Sequence, residues 1–390
     1  MPASGRPYLA IPGPSVTPDR VLRAMHRTSP DIYEGELVEL TAAILPRLRA
    51  VAGTRHHAVM YIGNGHATWE AALCNIASRG DRVLVPATGR FGHGWAGIAR
   101  GLGLEVELLD FGLEAPIDPA RVEAALRADR DRRIRGVLAV HSDTSTSIRS
   151  DMGALRAAID AAGHPALLLA DCMASLGCDR FEMDAMGVDV TLAGSQKGLM
   201  TPPGLGFLWF NDRAEALRGQ AGLVTPYWDW RTRAEPEAFW HHWFGTAPVQ
   251  HLYGLGEALA MIGEEGLENV WARHARLARA VWAAAEAWGE PLRLNVPEPA
   301  HRSHAVTALS LGEGQGDALR AWVRDHAGVT LGLGLGREPA SAFFRIGHMG
   351  YVNAHMVLGA LASIEAGLSA LAIPHGPGAL EAAARAIAAP

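Results

Sequence analysis

The chain has almost no lysine. Of its 35 lysine and arginine residues among 390, Lys197 is the one lysine, where a soluble chain of this length ordinarily carries on the order of twenty. Arginine replaces lysine wherever a fixed positive charge is enough. It cannot do so where a primary amine must lose its proton and attack a carbonyl. The surviving lysine, in Gly194-Ser195-Gln196-Lys197-Gly198-Leu199, is therefore read as a functional amine. Other absences narrow the field further. Cysteine is scarce: Cys74, Cys172 and Cys178 show no Cys-x-x-Cys spacing, which excludes a disulfide framework and predicts reduced thiols in a cytoplasmic protein. No apolar run reaches the ~18 residues that span a bilayer, and the first residues lack the apolar centre of a signal peptide. With a net charge of -6 and no long basic run, neither nucleic acid nor a membrane surface is an expected partner. A His-Glu-x-x-His zinc helix is missing, and the adjacent pairs His56-His57 and His241-His242 should diverge, so no metal site is expected. The Gly-x-Gly-x-x-Gly turn of a nicotinamide dehydrogenase is also missing. Gly332-Leu333-Gly334-Leu335-Gly336 lacks its spacing and reads as a turn.

What is present is an alternation. Short apolar runs at 58–62, 82–85, 106–109, 136–140, 166–170, 188–193 and 206–210 are separated by amphipathic stretches such as 69–76, 95–100, 119–128 and 152–162. That pattern predicts an α/β chain with a doubly wound, mostly parallel seven-stranded sheet. Residues 1–20, rich in Pro and Gly, read as an extended arm, and helical spacing follows at 20–25 and 37–51. The region 220–250 crowds aromatics, Pro and His into irregular chain, followed by one long helix from 252 to about 288. The expected organisation is an arm over 1–20, a large domain over 21–255 and a smaller α+β domain over 256–390.

The run Leu167-Leu168-Leu169-Ala170 ends in Asp171, and the next strand delivers Lys197 to the same rim. In an open parallel sheet that rim faces the ligand crevice. A carboxylate and an amine so placed match the needs of a pyridoxal cofactor: the amine engages the aldehyde, and the carboxylate keeps the pyridine nitrogen protonated. Gly63-Asn64-Gly65-His66 opens the helix after the first strand, where backbone N–H groups can approach a phosphate. Arg345, flanked by apolar residues in Phe343-Phe344-Arg345-Ile346-Gly347-His348, reads either as a clamp for a substrate carboxylate or as half of a structural ion pair.

Together these segments resemble the class V aminotransferases of pyridoxal-phosphate fold type I, and within them the serine–glyoxylate and alanine–glyoxylate group. The likeness runs from Pro12-Gly13-Pro14 through Trp69-Glu70-Ala71-Ala72-Leu73 and the Ser195-Gln196-Lys197 element to Arg345-Ile346-Gly347-His348. It implies that Lys197 bonds the cofactor and shuttles the proton, while Asp171 pairs with the ring nitrogen. Phe91 stacks on the ring, Met173 packs beneath it, and Thr144 reaches the ring hydroxyl. Asn64, Gly65, His66 and Gln196 hold the phosphate, and Thr246 completes the phosphate cup of the neighbouring subunit in a homodimer. Arg345 binds the α-carboxylate. The implied reaction is ping-pong transamination from a small amino acid, serine or alanine in type, to glyoxylate or pyruvate.

Several positions depart from the group's pattern. Trp243 replaces a tyrosine, and Ser142-Asp143-Thr144-Ser145-Thr146-Ser147 replaces Asn-Glu-Thr-x-Thr-Gly. The segment 29–35 is altered at the substrate entrance, which makes Tyr33, Glu34 and Trp228 candidate side-chain selectors. Two alternatives stay open: an enzyme like pyridoxamine–pyruvate aminotransferase, against which Gln196 argues, and a non-catalytic regulator that binds pyridoxal phosphate. A cysteine desulfurase is excluded by the lack of any cysteine after Cys178.

Overall fold

A computed structural model describes residues 5–389; residues 1–4 of the expected arm lie outside them. Twelve strands build the two main sheets: β1 (Tyr8–Ala10), β2 (His57–Gly63), β3 (Arg82–Ala87), β4 (Glu105–Asp110), β5 (Ile134–Val140), β6 (Leu167–Asp171), β7 (Val190–Gly194), β8 (Gly204–Phe210), β9 (Arg293–Leu294), β10 (Val306–Ser310), β11 (Val329–Leu333) and β12 (Phe343–Gly347). The seven-stranded sheet has the order β2-β8-β7-β6-β5-β3-β4. Every neighbouring pair is parallel except those of β8, which runs antiparallel to both β2 and β7. Helices cover both faces, so β6 and β7 are buried along their whole length, the reason they read as unbroken apolar runs. Each expected strand is present, with ends moved by a few residues.

The smaller sheet has the order β1-β11-β12-β10-β9. Its β1 comes from the N-terminal arm and lies parallel to β11, Tyr8 opposite Val329. The arm is thus part of the small domain before the chain enters the large one. Two expectations need correction. The single helix anticipated over 252–288 is two, Val249–Glu265 and Leu267–Trp288, parted at Gly266, whose φ of +81° an L side chain rarely adopts. The first of these helices packs Leu259 and Ile262 in the core under the large sheet, and the second packs Leu277 and Val281 in the core under the small sheet. The glycine run read as a turn begins inside β11, where Gly332 pairs with Arg345. A side chain there would collide with Pro12 and with Arg345.

Asp179 ties the domains together. Its buried carboxylate accepts from the Ser142 hydroxyl (2.9 Å) after β5, and from the Ser303 hydroxyl (3.1 Å) and His304 N–H (2.8 Å) before β10. Burial alone would raise its pKa, but His304, Arg149 and His141 hold it below the ordinary carboxylate range. Asp179→Ala strands these donors, and urea unfolding should show a loss of about 3 kcal/mol, with Asp179→Asn losing less.

Candidate active site

The large sheet brings its functional side chains to one edge, the carboxyl ends of the parallel strands. Asp171 is the last residue of β6, and Lys197 follows β7 by three residues. Asp171 is buried, with Oδ1 accepting from the Met173 N–H (2.7 Å) and Oδ2 from the Trp69 indole N–H (2.9 Å). Burial pushes its pKa up to about 6, against the pull of those two donors. A carboxylate has about four acceptor sites, so Asp171 can take a further donor.

Lys197 is half-buried, and its ammonium donates to the Pro12 carbonyl of the arm. Ser15 fastens the same stretch, its N–H on the Gln196 carbonyl (2.8 Å) and its hydroxyl on the Lys197 carbonyl (2.7 Å). Gly13, at φ +97°, lies against the lysine side chain, leaving no room for a Cβ. Desolvation, followed by the nearby charge of Arg345, lowers the Lys197 pKa to about 8.

Arg345 lies on β12, buried, and makes no ion pair among the described residues. Its Nε donates to the Leu333 carbonyl and its Nη1 to the Thr144 carbonyl, both at 2.7 Å. Nη2 and one N–H of Nη1 remain, the end-on fork that takes a carboxylate in two parallel bonds. The structural ion pair weighed from sequence is not what holds Arg345. Burial lowers its pKa to about 10.

The other cofactor candidates surround this core. Asn64 caps the helix Gly65–Ile76, its Oδ1 accepting from His66 N (3.1 Å) and Ala67 N (3.4 Å). Met173 lies over Gly65 and Gly194, since a Cβ on either would come within 2.5 or 2.6 Å of its terminal atoms. The Gln196 Oε1 is buried with no partner. Phe91 stands edge-on to Trp69, ring centres 6.3 Å apart, and lines a cleft of about 800 Å³ with His66, Arg90 and Leu335. Thr144 is buried in the turn after β5, whose Ser147 holds φ +62° where the family pattern has glycine.

Four candidates lie elsewhere. Thr246 and Tyr33 share a second cleft, of about 370 Å³, with Trp240 and Trp243; Glu34 is exposed beside it. Trp228 packs on Tyr61 behind β2, and its indole donates to Glu70 (3.0 Å). Sequence reasoning missed Trp69 as the donor to Asp171, the arm's contacts with Lys197, and Asp143. The Asp143 carboxylate accepts from Ser145 N (2.9 Å) and Phe91 N (3.0 Å), tying the Thr144 turn to the helix Arg90–Gly101. The Pro12-Gly13-Pro14 run was the available signal for the arm; nothing local announced the other two.

The profile of the family described as aminotransferase class-V matches residues 8–349. The chain belongs to that family. Serine–glyoxylate aminotransferase of Methylorubrum extorquens is 40% identical to it, covering 97% of this chain and 95% of that protein. L-aspartate–glyoxylate aminotransferase of Paracoccus denitrificans is 36% identical, over 93% and 91%. Among solved structures, pyridoxamine-pyruvate aminotransferase from Mesorhizobium loti superposes with a TM-score of 0.90 at 27% identity, covering 100% of this chain and 99% of that one. The protein is a class V aminotransferase of fold type I.

The lowered Lys197 pKa has a measurable consequence. Folded, the amine loses its proton near pH 8; unfolded, near 10.5. Between these values the unfolded chain holds more protons, so stability rises with pH across that window. Urea unfolding of cofactor-free protein from pH 7.5 to about 10 should show this rise, and Lys197→Met should flatten it.

Proposed function

We propose that this aminotransferase uses pyridoxal 5'-phosphate to move an amino group from a small amino acid, serine or alanine in type, to glyoxylate or pyruvate. The observation that carries the reading is the meeting of the sole lysine and the buried Asp171, at the strand edge of the large sheet, with the unpaired Arg345 reaching in from β12 of the small one. The residues fit the cofactor. Lys197 has an amine of lowered pKa, and Asp171 has room for a ring N–H. The unpartnered buried carboxamide of Gln196 suits a phosphate once its oxygen and nitrogen exchange places. Asn64, Gly65 and His66 would complete the phosphate side, Thr144 would face the ring hydroxyl, and Phe91 and Met173 would flank the ring.

Bound there, pyridoxal phosphate supplies a carbonyl that exchanges amines and a ring that accepts electrons. The protein supplies the rest. Lys197 Nζ, neutral in appreciable fraction near pH 8, accepts the proton from the substrate α-carbon and returns it. Asp171 holds positive charge at the ring nitrogen. The Arg345 fork fixes the carboxylate that amino donor and keto acceptor share, so one clamp serves both halves of a ping-pong cycle. Tyr33 and Glu34 are proposed as side-chain selectors at the entrance. Trp228, committed to Glu70 and Tyr61, could act on the pocket only by shaping its wall.

A homodimer accompanies this reading. Thr246 is exposed in a cleft that contains none of Lys197, Asp171 and Arg345, which supports its contribution to a neighbouring subunit's phosphate cup. Three free, buried cysteines support a cytoplasmic setting. Among the described residues no helix is long and apolar enough to cross a membrane.

The reading is tested by half-reactions. Holoenzyme mixed singly with serine, alanine and pyridoxamine should lose its Lys197-dependent visible band with the amino acids and keep it with pyridoxamine. The converse would favour the pyridoxamine–pyruvate chemistry named for the solved neighbour. Binding without any exchange would favour a regulator. In two-substrate initial rates, double-reciprocal lines should run parallel. Arg345→Gln should lower kcat/KM for donor and acceptor alike, by about 100-fold.

A further inference from the structure

Asp171 does not meet the site alone. Trp69, on the second turn of the helix Gly65–Ile76, is buried, and its indole N–H donates to Asp171 Oδ2 at 2.9 Å across 102 residues of chain. The indole plane is fixed independently, stacked on Trp95 with ring centres 5.9 Å apart and planes 12° from parallel. His66 also packs on this indole, ring centres 4.7 Å apart and planes at 60°. On the same carboxylate, the Met173 N–H holds Oδ1, so each oxygen has one donor and the carboxylate plane is set.

An indole N–H can donate but never accept. It therefore favours the ionised form of Asp171, which desolvation opposes. Resting on the proposed cofactor reading, we infer that Trp69 is a positioning residue for Asp171, its N–H keeping that carboxylate charged and oriented toward the ring nitrogen. Trp95 supplies the internal control. It occupies the same stack, yet its own indole N–H is buried with no partner, so its loss removes ring area and no hydrogen bond to Asp171.

The experiment compares Trp69→Phe with Trp95→Phe. Carbon-13 NMR of the aspartate carboxyls in cofactor-free protein gives the Asp171 midpoint, near 6 in the parent. Equilibrium binding of pyridoxal phosphate gives the dissociation constant. Trp69→Phe should raise the midpoint by about one pH unit and weaken binding about tenfold, while Trp95→Phe leaves both close to the parent. Unchanged values in Trp69→Phe, or equal changes in the two variants, overturn the inference. If Trp69→Phe does not fold, the parent still decides: the Trp69 indole N–H resonance should titrate with Asp171 and lose that step in Asp171→Asn. A flat indole resonance overturns the assignment. Absence of any pyridoxal phosphate binding by the parent would instead sink the cofactor reading and leave the titration to be judged alone.

Discussion

Two buried charges and one half-buried amine, all with incomplete partners, govern this protein. Burial drives Asp171 toward its neutral acid, Lys197 toward its neutral amine and lowers the pKa of Arg345. None of the three forms a close ion pair, and their direct bonds go to backbone groups and one indole. Removing charge from water without a matching countercharge costs stability. The site thus draws on the stability supplied by the rest of the fold. On the proposed reading, a cationic ring nitrogen would give Asp171 its countercharge and a substrate carboxylate would give Arg345 its own, coupling binding to stability.

The near-absence of lysine acquires a physical meaning in this setting. Arginine holds its charge even when buried, as Arg345 does between two carbonyls. Lysine gives up its proton when desolvated, and desolvation is the main cause of the lowered Lys197 pKa. On the proposed reading the two basic residues of the site are not interchangeable: one would stay charged to clamp, and the other would become neutral to react.

Much of this was legible in the sequence, and most of what was not rests on contacts between residues far apart in the chain. The strands of the large sheet announced themselves because burial on both faces demands continuous apolar runs, and Asp171 and Lys197 could be placed because they terminate such runs. Arg345 betrayed its burial through its neighbours. Trp69 and Asp171 meet across 102 residues, and Pro12 and Lys197 across 185; no local pattern encodes either contact. Gly266 went unread as a break because a single glycine inside a helical pattern costs only about 1 kcal/mol and is often tolerated. Ser147 shows the opposite case. The family pattern places glycine there, and the chain keeps the left-handed φ of +62° with a serine whose hydroxyl bonds the Thr146 carbonyl at 2.6 Å.

The small domain is bound to the large one at the site itself. Arg345 reaches from β12 to the Thr144 carbonyl, the arm continues from β1 to Ser15 on the Lys197 loop, and Asp179 grips Ser303 and His304. Any rotation of the small sheet would therefore move the clamp and the arm together relative to Asp171. These three ties hold Arg345 at a set distance from Lys197; on the proposed reading, a substrate's carboxylate and α-carbon would have to match that span. On the same reading, selectivity among amino acids would come from outside that span, from the cleft beside Phe91 and Arg90 and from the entrance around Tyr33.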